Sequence, residues 1–332
     1  MTRSDSLASR RDLLRHAALG ALALASGASM AQTPVWPSKP IRWLVPFPPG
    51  SPPDLVSRLM ASLLSGPLGQ PLVVENKPGA IGMVAVGELL RQPADGYTLM
   101  CMLMPVLTAP VLIPAQKVDL DKVLQPVSLI DRAPSVLVVN QSVPVNNLKE
   151  FVALLKARPN ELGFASGGSG TPAHLAGELF KQHQKVLATH VPYSQLAQAI
   201  PDLLSNRVQF MFLTSNVAIP QISSGKLKGI GVVGDKRLPA LPQLPTLAEQ
   251  GMGDFDTSNW DGVVARAGTP PEIVQRWNTE IVALLSRRDV VEKFQEMGMQ
   301  ATPSTPAQFA ELMRNDARKW RDLITSSGIR ID

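Results

Sequence analysis

Short apolar runs alternate with helical periodicity along almost the whole chain. Ile41-Arg42-Trp43-Leu44-Val45 reads as a buried strand. From Asp54, the residues Leu55, Leu59, Leu63 and Val56, Met60, Leu64 recur at helical spacing until Gly66 and Pro67 stop them. Residues 71–75 predict a second strand, 83–90 a helix and 97–103 a third strand. The pattern restarts after Val127. Strands at 136–139, 162–165, 188–191, 208–213 and 229–233 are separated by helices at 148–156, 173–182 and 196–205. Strands alternating with helices predict two doubly wound, largely parallel sheets.

The last portion is mainly helical. Thr269-Pro270-Pro271-Glu272 and Thr305-Pro306-Ala307-Gln308 each set a hydroxyl ahead of a proline, with Glu or Gln at capping-box spacing. They predict helices running to about Leu285 and Thr325.

Composition adds an address. Arg3, Arg10, Arg11 and Arg15 form a basic leader, residues 17–25 an apolar run too short to span a bilayer, and Ser29-Met30-Ala31 a peptidase site. Ser9-Arg10-Arg11-Asp12-Leu13-Leu14 has the twin-arginine pattern. Residues 1–31 are therefore read as an export signal, cleaved between Ala31 and Gln32, with the periplasm as destination. About 300 residues remain, enough for two compact lobes. Although 45% of the chain is hydrophobic, no later run reaches the ~18 apolar residues of a membrane span.

Loss of four Arg and two Asp with the leader lowers the formal charge from +5 to +3. Without a basic cluster, that charge excludes nucleic acid as a partner and suits a small anionic solute. Cys101 stands alone in an apolar run, which predicts a buried structural thiol and no disulfide. His174, His183 and His190 lack metal-ligand spacing, so neither a metal nor a cofactor is expected.

Two segments look built for an anion. Pro46-Phe47-Pro48-Pro49-Gly50-Ser51-Pro52-Pro53-Asp54 joins the first strand to the first helix. Ala165-Ser166-Gly167-Gly168-Ser169-Gly170-Thr171-Pro172 does the same in the second half. At such junctions free N–H groups and the positive helix pole converge. The second loop adds glycines that permit close approach and the hydroxyls of Ser166, Ser169 and Thr171. In the first, with Ser51 as N-cap, Pro52 and Pro53 remove two amide donors, the third bonds back to Ser51, and Asp54 reads as a capping carboxylate that stabilises the helix start. An anion there would use the Ser51 hydroxyl, the Gly50 and Ser51 amides, or water.

The chain resembles the periplasmic solute-binding proteins of tripartite tricarboxylate transporters, known from Bordetella as Bug receptors. The resemblance spans nearly all of residues 36–331. It rests on Trp36-Pro37-Ser38-Lys39-Pro40-Ile41, on Pro46-Phe47 with Gly50 and Asp54, on Val74-Glu75-Asn76-Lys77-Pro78-Gly79-Ala80 and on Ala94-Asp95-Gly96-Tyr97-Thr98-Leu99. It continues through Gly170-Thr171-Pro172-Ala173-His174-Leu175-Ala176-Gly177-Glu178, Val191-Pro192-Tyr193 and Gly268-Thr269-Pro270. It implies an α/β Venus flytrap (type II-like) of two lobes, each a doubly wound mixed sheet, joined by two crossover strands. The lobes would comprise residues 32–133 with 256–332, and 134–255.

Such a protein performs no chemistry. As a monomer it would deliver a mono-, di- or aromatic carboxylate to the permease subunits of a tripartite tricarboxylate transporter. Carried over by motif, the ligand contacts are Phe47, Gly50, Ser51, Ser166, Gly168, Ser169 and Thr171, with Tyr193 at the cleft edge. Pro52 and Pro53 stand where many relatives have Gly and Thr, and Ser194 and Gln195 where Lys-Gly is common. Leu213 replaces a usual acidic residue, which points away from a zwitterionic ligand because a buried ammonium needs a partner. Two other readings are an exported α/β hydrolase and a receptor for a membrane sensor kinase. Against the hydrolase, Gly167-Gly168-Ser169-Gly170 is out of register with a nucleophile elbow.

Overall fold

A computed structural model describes residues 36–113, 118–194, 196–234, 236–253 and 255–329; the export signal read at 1–31 lies outside them. The leading unit through Ser38 is described from Trp36, whose bond to Pro37 is cis. All that follows concerns the unit from Lys39 onward.

Its strands form two sheets, each in its own lobe. In the first, β1 (Ile41–Val45) lies between β2 (Leu72–Asn76) and β3 (Thr98–Leu103), parallel to both. Antiparallel to β3 runs β10 (Asn259–Arg266), followed by β4 (Leu124–Ala133) and the short β11 (Gln300–Ala301). The second sheet places β6 (Gly163–Ser166) between β7 (Thr189–Pro192) and β8 (Phe210–Thr214), again parallel to both. Beyond β8 come β5 (Ser135–Asn140) and β9 (Leu227–Val232), antiparallel. The mixed, doubly wound architecture matches what the resemblance implied; the largely parallel sheets read from periodicity are corrected, since β3–β10–β4–β11 and β8–β5–β9 pair antiparallel. β1 and β6 are equivalent: each is flanked by parallel neighbours on both sides, the topological switch point where open α/β sheets bind ligands.

Helices α1 (Pro52–Leu68) and α6 (Pro172–Gln184) leave β1 and β6. Helix α3 (Met104–Leu112) was not expected. It is apolar nearly all round, so it carries no helical period to read. The capping box at Thr305 forms and opens α11 (Pro306–Ser327). The one at Thr269 does not: Pro270 takes the cap position of α9 (Pro271–Leu285), and the Thr269 hydroxyl donates to the Arg266 carbonyl. Cys101 is buried and free, as expected.

The first core is built around Trp43 edge-on to Trp277; the second packs Phe151, Phe164, Phe180, Phe210 and Phe255 together. β4 runs through Pro134 straight into β5, so one crossing between lobes is continuous strand. Away from the crossings, the Ser215 hydroxyl donates to the Gly298 carbonyl at 2.6 Å. Gly298 has φ +73°, and a Cβ there would stand 2.7–2.9 Å from Asn216, so only glycine permits this approach of the lobes.

Candidate functional site

The two strand–helix loops start from the same backbone. Ser51 (φ −71°, ψ 157°) and Thr171 (φ −70°, ψ 159°) are both N-caps followed by proline, and neither side chain caps its helix. Ser51 Oγ donates instead to the Pro48 carbonyl at 2.7 Å, and Thr171 Oγ1 to the Gly168 carbonyl at 2.7 Å.

The first loop is closed by its own carboxylate. Buried Asp54 does not bond back to Ser51; it accepts from the Gly50 amide at 2.8 Å, from Asn76 Nδ2 at 2.8 Å and from Arg58 Nε at 3.0 Å. Burial alone would raise its pKa, but these donors and the Arg58 charge hold it below the usual carboxylate range. The Ser51 amide donates to Pro48. The Gly50 and Ser51 amides are thus occupied within the loop, and Pro52 and Pro53 have none to offer.

The second loop is closed by neutral imidazoles. The rings of His174 and His190 stack 3.8 Å apart, and His190 in turn stacks on Phe164 of the lobe core. The Gly170 amide donates to His174 Nδ1 at 2.9 Å, so His174 is an acceptor at this helix start. Fully buried Ser166 lies 2.7 Å from His190 Nε2 and also bonds the Gly168 amide and carbonyl. Desolvation first, then the Lys181 charge for His174 and the His174 ring for His190, push both to about 4. This lock leaves donors over. The amide and hydroxyl of half-buried Ser169 meet no acceptor among the described residues, at a helix N-terminus with Gly168 and Gly170 on either side.

Between the lobes lies a cavity of about 230 Å³. Phe47 and Ser51 border it from the first lobe, and Pro172, Thr214 and Asn216 from the second. Of the expected ligand contacts only Phe47 and Ser51 line it directly; Thr171 adjoins it through Pro172. Tyr193 packs on a separate apolar cluster of the second lobe that includes Ala165, Met211 and Leu213, with its hydroxyl donating to Asp202 Oδ2 at 2.8 Å. Leu213 is buried core. Sequence reasoning missed two cavity residues, Asp131 and Asp261, each an acid inside an apolar strand run. An ionisable residue in such a run was the available signal.

The family model described as tripartite tricarboxylate transporter family receptor matches residues 56–329. The chain belongs to this family. BugT of Bordetella pertussis is 32% identical over 315 residues, 93% of this chain and 96% of BugT. Among solved structures, R. palustris Rpa4515 with adipate matches with a TM-score of 0.75 at 31% identity, over 89% of this chain and 99% of that one. MatC from Rhodopseudomonas palustris with bound malate gives 0.71 at 29%, over 87% and 100%. Family members are periplasmic solute-binding receptors, not enzymes. Among the described residues no helix is long and apolar enough to cross a membrane.

Proposed function

We propose that this chain is a monomeric periplasmic receptor that captures a small organic carboxylate between its lobes and delivers it to the permease subunits of a tripartite tricarboxylate transporter. One observation carries the reading: two equivalent strand–helix junctions, one per lobe, border the same cavity. The adipate- and malate-bound relatives support carboxylate as the ligand class. We assign residues 32–133 and 256–332 to one lobe and 134–255 to the other. Ser169 is the principal anchor, since the second loop uses neither its amide nor its hydroxyl for itself. Gly50, Ser166, Gly168 and Thr171 then shape the two loops, while Phe47 and Ser51 meet the body of the ligand.

Catalysis has no support in this geometry. Among the described residues the Ser–His pair at hydrogen-bond distance, Ser166 with His190, has its serine fully buried, and a nucleophile needs access to substrate. A thermal-shift screen of the chain from Gln32 onward, against mono-, di- and aromatic carboxylates, tests the reading. At least one acid should raise the melting temperature and be recovered intact, with a smaller radius of gyration by solution scattering. No response to any acid, or hydrolysis of a bound ester abolished by Ser169→Ala, would overturn it.

A further inference from the structure

The interlobe cavity has a second chemical end. Asp131 on β4 and Asp261 on β10 are direct cross-strand partners, so they share one face of the sheet, and both line the cavity. Directly opposed side chains of this kind have Cβ atoms about 4.5–5.5 Å apart. The residues are 1% and 7% exposed, and neither carboxyl makes an ion pair or hydrogen bond with another described residue. Among the described residues Asp131 Oδ2 is buried without a partner, and so is Oδ1 of neighbouring Asn259, which lines the same cavity.

Two acids facing each other in a buried part of a sheet are costly, and Leu129, Ile130, Val263 and Val264 around them show that these strands otherwise bury apolar residues. Burial holds Asp261 up to about 7; burial and the charge of Asp261 hold Asp131 well above the carboxylate range. Asn259 Oδ1 is an acceptor, and Asp131 Oδ2 becomes one when its carboxyl gives up its proton. The complement is a group with several N–H donors and a positive charge. An ammonium has three donors, for Asp131, Asp261 and Asn259. An ammonium favours the ionised form of both acids, whereas a second carboxylate would raise their pKa further.

We propose that Asp131, Asp261 and Asn259 form an ammonium subsite, so that the receptor's ligand is a short carboxylate that also carries an amine. The proposal rests on the receptor reading above and deepens it. The acids at 131 and 261 supply from the first lobe the partner that Leu213 lacks in the second. Apolar walls from Phe47, Leu103 and Trp260 suit the methylenes between the two ends, and Ser51 and Pro172 border the cavity where the carboxylate end would meet the loops.

Calorimetric titration with matched pairs tests this: β-alanine and propionate, 4-aminobutyrate and butyrate, 6-aminohexanoate and hexanoate, with butylamine as the amine alone. For at least one length the amino acid should bind about ten- to a hundredfold tighter than its plain partner. Asp131→Asn should bring that ratio to within about threefold, and Asp261→Asn should lower it too, with melting temperature monitored for both. At pH 6.5 the preferred amino acid should also release protons, seen as a binding enthalpy that differs between phosphate and Tris buffers. Plain acids binding as tightly as their amino partners at every length, or a preference that survives Asp131→Asn, would overturn the subsite and leave the carboxylate receptor standing. Butylamine binding where no acid binds would overturn the receptor reading and keep the subsite. No binding by any probe overturns both.

Discussion

The loops after β1 and β6 share a backbone and differ in what holds them. At the first, a buried, ionised carboxylate gathers the loop amide, an asparagine and an arginine; at the second, a pair of neutral imidazoles and a buried serine do the holding. An internal carboxylate competes with a ligand carboxylate for the same donors, whereas an imidazole acceptor satisfies one amide and leaves Ser169 alone. One geometry therefore closes on itself in one lobe and, in the other, leaves the amide and hydroxyl of Ser169 without an acceptor among the described residues.

The largest expected break of this comparison is Asp54→Ala. It leaves the Gly50 amide, Asn76 and Arg58 without their acceptor, and should cost about 3 kcal/mol in urea unfolding. A cost under about 1 kcal/mol would show that the first loop holds without its carboxylate. Next in size is Gly298→Ala. With positive φ and Asn216 in the way of a Cβ, it should keep the lobes apart and weaken ligand binding about tenfold. Unchanged affinity would mean that both loops reach the ligand without this contact.

Acid should loosen the two loops at different pH. The imidazoles titrate near 4 in the fold and about 6.5 unfolded, so between those values the unfolded chain binds more protons and the second loop loses stability as pH falls. Asp54 is held below the usual range, so its contribution persists until pH drops below about 4. Going from pH 7 to 5, the hydrogen-exchange protection factor of the Gly170 amide should fall roughly tenfold, and that of Gly50 should hold. Equal losses at both amides would remove the distinction.

Much of this was legible in the chain. The strand–loop–helix spacing located both junctions, and the prolines after Ser51 already marked the first as poor in donors. Asp54 was readable as a carboxylate serving the loop, but its true partner, the Gly50 amide, depends on the turn and not on capping-box spacing. The second loop's lock was hidden because His190 reaches Ser166 from a neighbouring strand. Asp131 and Asp261 each stand out as an acid in an apolar run, but their pairing was hidden, because the register of β4 on β10 leaves no trace in local periodicity.

The central claim, that the second loop anchors the ligand while the first closes on itself, is tested most directly by calorimetric titration of Ser51→Ala and Ser169→Ala with the tightest-binding acid of the screen. Ser51 Oγ already spends its proton on Pro48, whereas the Ser169 hydroxyl has no acceptor among the described residues. Ser169→Ala should weaken binding about ten- to a hundredfold, and Ser51→Ala less than about threefold. If Ser51→Ala proves the more damaging, the first loop is the carboxylate anchor and the account is contradicted.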